Sequence, residues 1–366
     1  MTSKHLKTWV EISEKAIAHN ARTFKELVGK KVKLAAVVKS NAYGHGLTDF
    51  ARLANRHGVD SFCVDSVFEA EALRKQGIKK PILVLGMTLP DNYERVLKNN
   101  CAITISNFHA LENWLRAKEK PPIHIKVDTG MHRQGFFLAE LPAVLRRIKK
   151  QESRIKSLVQ GIYTHFASAK DVNYPTYTEM QFEKFMKACA LFEKAGFTNL
   201  VKHCAASSGT MLNSKYHLDM VRVGMGLYGQ PPSKEIGHQI SDIRLKPVLR
   251  WKTVVSEIKQ VAKGNFVSYD LTERLTRNTK IGILPIGYWH GLPWALSNVG
   301  EVVINKKRAK ILGRVTMDVT MVDVTDIPCA PGTIAEIDIM DGSFRARTSH
   351  YEFLTRINPL IERIVI

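Results

Sequence analysis

Short runs of apolar and β-branched residues recur through the first two thirds of the chain. They fall at Lys33–Lys39, Asp60–Asp65, Pro81–Gly86, Cys101–Ser106, Pro122–Asp128, Leu158–His165, Asn199–His203 and Met220–Gly224. Their nearly unbroken apolar character predicts strands covered on both faces, as in a parallel sheet. Between several of them the period turns helical. Leu47–His57 is one such stretch, and Val67–Gln76 is another, stopped by Gly77. Asn107–Lys118 has Asn107 as its N-cap and ends before Pro121, and Thr176–Ala195 is closed by Gly196. Strands alternating with helices are βαβ units, and eight of them in about 220 residues predict an α/β fold with an N-terminal (β/α)8 barrel.

Beyond about residue 240 the spacing shortens. Lys246–Val261, Lys280–Pro285, Glu301–Ile304, Lys310–Arg314, Val319–Val324 and Thr333–Ile339 read as closely spaced strands, with one helix at His350–Arg356. Turn signals at Lys263-Gly264-Asn265 and Asn298-Val299-Gly300 separate them, which predicts a mainly antiparallel β domain. A length of 366 residues suits two domains. The expected division is 1–240 and 241–366, with a linker at Gln230-Pro231-Pro232-Ser233 and a polar stretch to Asp242.

Composition narrows the class. Hydrophobic residues make up 45% and charged residues 24%, the balance of a soluble globular protein. No apolar run is long enough to span a membrane, and the N-terminal segment has no apolar core of a signal peptide, so the expected address is the cytoplasm. The net charge of +20 raises nucleic acid as a partner. The charge is spread along the chain, however, and its densest clusters (30–33, 146–150, 306–308) lack interleaved aromatics, so no nucleic-acid partner is expected. Five scattered cysteines without a Cys-x-x-Cys pair predict neither a disulfide framework nor a thiolate zinc site, and no metal is expected.

Barrel enzymes carry their chemistry at the carboxyl ends of the strands. The first run ends in Lys39, followed by Ser-Asn-Ala-Tyr43-Gly-His-Gly. Burial disfavours a charged lysine, and a neutral amine attacks carbonyls. The fifth ends in Lys126-Val-Asp128-Thr-Gly-Met-His-Arg133, the sixth in His165, and the eighth in Arg222-Val-Gly224-Met225-Gly226. Ala206-Ser207-Ser208-Gly209 is a phosphate-type turn after the seventh, and glycines near Arg222 let backbone amides approach an anion. A lysine, an arginine and two phosphate-type turns on one rim point to a phosphorylated aldehyde held covalently by the lysine.

The run from Ala36 to Gly46 closely resembles the pyridoxal-phosphate attachment motif of the alanine racemases. Lys126–Arg133, Tyr163–Phe166, Ala206-Ser207, Arg222–Gly229, Val267–Tyr269, Gly287-Tyr288 and Gly313–Asp318 are similar to further motifs of that family, in its order and over nearly the whole chain. The resemblance implies a barrel plus a β domain, the cofactor pyridoxal 5'-phosphate, an amino-acid substrate and a homodimer with shared active sites. It implies Lys39 as attachment lysine and as base on one face of the substrate Cα. Tyr269 of a second subunit would be the base on the other face, supported by His165 and Arg222. Arg222 would face the ring nitrogen and, as a permanent donor, leave it unprotonated, which weakens the electron sink and limits transamination. Tyr43, Ser207, Gly224, Met225 and Tyr351 match the phosphate positions. Arg133, Met317 and Asp318 match the substrate-carboxylate positions, Lys126 a lysine that is often carbamylated, and Tyr288 the entry gate. The activity implied is interconversion of L- and D-alanine for peptidoglycan. A serine, lysine or broader racemase, a decarboxylase of the same barrel class and a cofactor carrier are the alternatives.

Three segments depart from the family pattern, the last of them the loosely matching Asn358–Arg363. The gate, usually Gly-Tyr-Ala-Asp-Gly-(Leu/Tyr)-x-Arg, reads here from Gly287 to Trp294 with Trp289, His290 and Trp294 in place of alanine, acid and arginine. Asp270 follows Tyr269 where glycine is usual. The first change leaves substrate breadth open, and the second predicts a differently shaped loop at Tyr269.

Overall fold

The structure, a computed structural model, describes residues 5–150, 153–169, 175–230 and 243–366. Apart from Gln230, the expected linker lies outside the described residues. The chain divides into two compact units. A barrel unit comprises Lys15–Lys39 and Leu47–Pro247, and a β unit comprises Met1–Glu14, Ser40–Gly46 and Val248–Ile366. The division is discontinuous, unlike the expected 1–240 and 241–366, because strand β1 (Thr8–Ile12) pairs with strands near the C-terminus.

All eight apolar runs form barrel strands. They are β2 (Lys33–Val37), β3 (Ser61–Val64), β4 (Ile82–Val84), β5 (Ala102–Ile105), β6 (Ile123–Lys126), β7 (Val159–Tyr163), β8 (Val201–His203) and β9 (Met220–Val223). Consecutive strands from β2 to β8 pair in parallel, and β9 returns to β2. Between β8 and β9 the Asp219 amide donates to Lys202 O (3.1 Å) and the Arg222 amide to Ala205 O (3.0 Å), so the barrel is nearly closed. Several predicted runs overreach at their carboxyl ends. Val38-Lys39, Val127-Asp128 and Thr164-His165 lie past the strand ends, in the rim where a barrel keeps its reactive groups.

The covering helices follow local signals. Ser66 caps helix Val67–Lys75 by accepting from the Glu69 amide, and Glu69 reaches back to the Asp65 amide at 2.7 Å, a reciprocal pair. Asn107 caps helix Phe108–Arg116, accepting from the Ala110 amide at 2.8 Å.

The β unit has a six-stranded sheet, a three-stranded sheet and a hairpin. The large sheet contains β1, β10 (Leu249–Val254), β15 (Glu301–Ile304), β16 (Lys307–Lys310), β18 (Ile334–Ile337) and β19 (Arg363–Val365). All its pairings are antiparallel except β1 with β19. The smaller sheet holds β11 (Glu257–Val261), β14 (Thr279–Leu284) and β17 (Thr320–Asp323), and the hairpin joins β12 (Phe266–Val267) to β13 (Glu273–Arg274). Trp9, Trp251 and Phe353 are fully buried in this unit, and the last two meet edge to face at 6.4 Å.

Three expectations shift here. Lys246–Val261 is two strands, β10 and β11. Thr333–Ile339 is β18, followed by a helix from Ile339 that is capped by Asp338. The strand expected at Lys310–Arg314 lies at β16 instead. Asn305 and Lys306 both adopt positive φ (48° and 65°), which makes a two-residue hairpin turn and sets β16 against β15. Among the described residues no helix is long and apolar enough to cross a membrane, and the five cysteines are free.

The β6–β7 register shifts at His124, which lies opposite Gly161. A Cβ on Gly161 would stand 2.3 Å from His124 Nδ1, so this glycine makes room for a buried imidazole. Gly161→Ala is expected to destabilise the protein by about 1–3 kcal/mol through overpacking. Denaturant unfolding of the two proteins checks this, and an unchanged midpoint contradicts it.

Candidate active site

Arg222, on β9, is the best-anchored polar group at the barrel mouth. It is 3% exposed. Its Nη1 donates to His203 O (3.1 Å) and meets His203 Nδ1 at 2.7 Å. Its Nη2 donates to Thr164 O (2.8 Å) and Cys204 O (3.3 Å) and lies 3.3 Å from His165 Nδ1. These partners are neutral. Among the described residues no carboxylate pairs with Arg222 and no acceptor meets its Nε. A buried cation in such a setting calls for a further acceptor.

The same contacts fix the histidine tautomers. Guanidinium only donates, so His203 Nδ1 accepts and its Nε2–H donates to His124 Nδ1, 2.9 Å away. His165 Nδ1 likewise accepts, which leaves a hydrogen on Nε2. His203 stacks on Tyr163 at 4.7 Å, and Tyr163 shares a hydrogen bond with Thr104 (3.0 Å). Burial, reinforced by the Arg222 charge, pushes His124 and His165 down to about 3 and His203 well below its ordinary value.

Lys39 follows β2 by two residues. Its side chain is 36% exposed, and its Nζ lies 3.3 Å from Asp65 Oδ1. Burial of this amine, expected from the apolar strand before it, is only partial, because the backbone turns out of the barrel at Lys39. Lys126, at the end of β6, is buried and donates to Gln134 Oε1 at 3.1 Å. Burial, with Arg133 and Arg222 nearby, lowers it to about 8 against the pull of Asp128. Asp128 accepts from the amides of Gly130 and His132 (2.9 and 3.0 Å), which shapes the loop to exposed Arg133. Lys126, Arg133, Gln134, Thr164 and His165 help to line a narrow recess. Ser207 opens helix Ser207–Leu212, and its Oγ accepts from the Gly224 and Gly226 amides at 3.2 Å each. Met225 is buried beside them in the chain.

In the β unit, Ser40 to Tyr43 form a left-handed turn with φ between 52° and 55°. His45 clamps it. The His45 Nδ1 lies 3.0 Å from Ala42 O and 3.1 Å from Tyr43 O, and burial lowers this group to about 4. Arg363 donates to Gly44 O at 3.0 Å. Tyr43 and Tyr351 have ring centroids 6.1 Å apart. Tyr269, 70% exposed, starts the turn Tyr269–Leu271. Tyr288 and Met317 are also exposed, with Asp318 beside Met317. The Tyr288 and Trp289 amides donate to Thr316 O and Met317 O (2.9 and 3.0 Å), and Gly287 allows that approach because a Cβ would lie 2.2 Å from Thr316 O. His290 is buried and accepts from the Gly287 amide, so its ring packs inward rather than on the surface of the turn. Trp289 and Trp294 are about half exposed.

The barrel unit thus brings together Lys126, Arg133, His165 and Arg222, and separately Ser207 with Gly224. The β unit brings together Tyr43 with Tyr351, and Tyr288 with Met317. Asp65, His124 and His203 escaped the sequence reading. Asp65 and His203 each close one of the apolar runs, which was the available signal. His124 had none, since its role depends on a partner 79 residues away.

The family model "Alanine racemase, N-terminal domain" matches residues 12–232, and "Alanine racemase, C-terminal domain" matches 248–365. An alanine racemase of Leptospira interrogans is 35% identical, covering 98% of this chain and 96% of that protein. One of Desulforamulus reducens is 38% identical, with 91% and 88% covered. The crystal structure of a Bacillus anthracis alanine racemase with bound L-Ala-P superposes with a TM-score of 0.91 at 32% identity, covering 98% of this chain and 95% of that one.

Four histidines that the fold holds below their ordinary value, His45, His124, His165 and His203, make a prediction about acid stability. Each is neutral in the fold and takes a proton near pH 6.5 when unfolded. The unfolded chain therefore binds more protons below pH 6.5. Their stabilisation is complete above 6.5 and falls as pH drops toward 4, by at most about 1.4 kcal/mol per histidine per pH unit. The melting temperature is expected to be lower at pH 5 than at pH 7, and equal values would contradict the neutral assignment.

Proposed function

The chain belongs to the alanine racemase family, and from that premise we propose that it interconverts L- and D-alanine with pyridoxal 5'-phosphate and two opposed bases, supplying D-alanine for peptidoglycan in the cytoplasm. The observation that carries this reading is the buried Arg222, paired with no carboxylate and with no acceptor at Nε among the described residues, on the barrel rim that also carries Lys39. A neutral ring nitrogen suits that donor, and an aldehyde suits the amine. The bound cofactor would supply an electron sink that acidifies the substrate Cα–H.

The chain's own groups do the rest. Lys39 anchors the cofactor and then moves a proton at one face of Cα. Tyr269 moves a proton at the opposite face, because inversion removes it from one side and returns it to the other. A phenol titrates near ~10 and needs support to act as a base; His165, with its Nε2–H set by Arg222, is suited to that support. Arg222 donates to the ring nitrogen and gives up no proton. Ser207, Gly224, Met225, Tyr43 and Tyr351 would hold the phosphate. Arg133, Met317 and Asp318 would orient the substrate carboxylate, and Tyr288 would narrow the entrance. Lys126, lowered to about 8, offers a larger fraction of the neutral amine that reacts with carbon dioxide; its carbamate would steer Arg133.

Tyr269 and Met317 are exposed, at 70% and 54%, which supports their serving the site of a second subunit in a homodimer. Incubation of the purified protein with L-alanine is expected to yield D-alanine by chiral chromatography, and absence of D-alanine overturns the reading. Rates on serine and lysine, measured the same way, report the breadth left open by Trp289, His290 and Trp294. Lys39→Ala and Tyr269→Phe are each expected to lose at least about 100-fold in rate. Random subunit exchange between these two variants should restore about a quarter of the parent rate, since half the dimers then hold one intact site. No recovery would mean that both residues act within one subunit.

A further inference from the structure

The turn that carries Tyr269 is built from unfavourable backbone. Ser268, Asp270 and Leu271 have φ of 69°, 62° and 54°. Left-handed backbone is disfavoured for any residue that carries a Cβ, least for aspartate and asparagine. Such a turn persists only where its surroundings hold it.

Part of the hold is backbone packing. Gly313 abuts the segment so closely that a Cβ would lie 2.4 Å from Val267 O and 2.6 Å from Ser268 Cβ. Ser268 Oγ donates to Arg314 O at 3.0 Å. Asn298 bridges the far side. Its Oδ1 accepts from the Gly313 amide (2.7 Å), and its Nδ2 donates to Thr272 Oγ1 (3.2 Å).

The Arg314 side chain adds a second hold. Its Nε lies 3.3 Å from Asp270 Oδ2, and its Cζ sits 4.6 Å from the centre of the Trp294 ring. Trp294 is itself tied to the same loop, which follows β16. Ser297 Oγ donates to Trp294 O (2.6 Å) and accepts from the Val315 amide (3.0 Å). Asp270 and Trp294 are two of the positions where this chain departs from the family pattern, and they meet on one guanidinium.

We propose that Arg314 is a positioning residue for Tyr269, acting through the Asp270 carboxylate and held in reach of it by the Trp294 face. Where a glycine would relax the turn, this chain keeps an aspartate and pins it by charge. The exposed ion pair alone is worth little, and a cation over tryptophan adds a similarly small amount. A small displacement of a reacting group lowers the rate out of proportion to the energy of the contact that held it. The inference rests on Tyr269 being a base.

The test uses the full-length holoenzyme and the variants Asp270→Asn, Arg314→Gln, their double and Trp294→Leu. Asp270→Asn keeps a residue that tolerates the left-handed turn and removes only the charge. Each single variant is expected to lower kcat about five- to tenfold with KM within about twofold, and the double to be no worse than Arg314→Gln. The primary isotope effect with Cα-deuterated alanine should rise for one enantiomer only, the one from which Tyr269 takes the proton, which general loosening of the fold would not produce. Parent kinetics in Asp270→Asn and Trp294→Leu, a rise in KM with kcat kept, or equal isotope effects on both enantiomers would each overturn the proposal. A parent that fails to racemise alanine, or a Tyr269→Phe variant at the parent rate, overturns the reading beneath it. An active parent with inactive Tyr269→Phe and unaffected Asp270 and Arg314 variants overturns this inference alone.

Discussion

The barrel depends on how a guanidinium is kept inside it. Arg222 has no carboxylate beside it among the described residues; backbone oxygens of Thr164, His203 and Cys204 and two imidazole nitrogens receive its hydrogens. A carboxylate there would have satisfied the charge within the protein. Neutral acceptors leave the positive charge to act on whatever enters. They also impose order outward, because each acceptor must present a lone pair. His203 is thereby committed to one tautomer, His203 commits His124, and His124 occupies space that only a glycine at 161 leaves open.

How legible this was varied with the range of the interactions. All eight barrel strands were visible because a strand buried on both faces writes its burial into consecutive residues. Helix starts at Ser66 and Asn107 are equally local. Thr8–Ile12 gave no such sign, since its partners are residues 249–253 and 363–365 and its pattern is that of any short amphipathic stretch. The strand near 310 was displaced because Asn305 and Lys306 form a tight turn without a glycine to mark it.

The site divides the same way. Lys39, Lys126, His165 and Arg222 stand at or just past strand ends, where barrel topology makes position informative. The Tyr269 and Tyr288 loops were visible only through family resemblance, because nothing in their composition separates them from other β turns. His124, Asp270 and Arg314 act through contacts made by distant parts of the chain, and no local pattern encodes those. The four left-handed residues from Ser40 to Tyr43 belong here too. Their sequence allows many conformations, and the choice is made by His45 from within and Arg363 from far along the chain.

The placement of β1 has a consequence for biosynthesis. Thr8 pairs with Thr253, and Val10 pairs with Arg363 on the other side. β1 is therefore the penultimate strand of its sheet, between neighbours at 249–254 and 363–365 that are synthesised much later. At about 5–20 residues per second it waits on the order of tens of seconds with both edges bare. Nascent chains carry β1 as an unpaired ribbon until residues 249–253 have been made, a natural client for chaperones that shield extended segments.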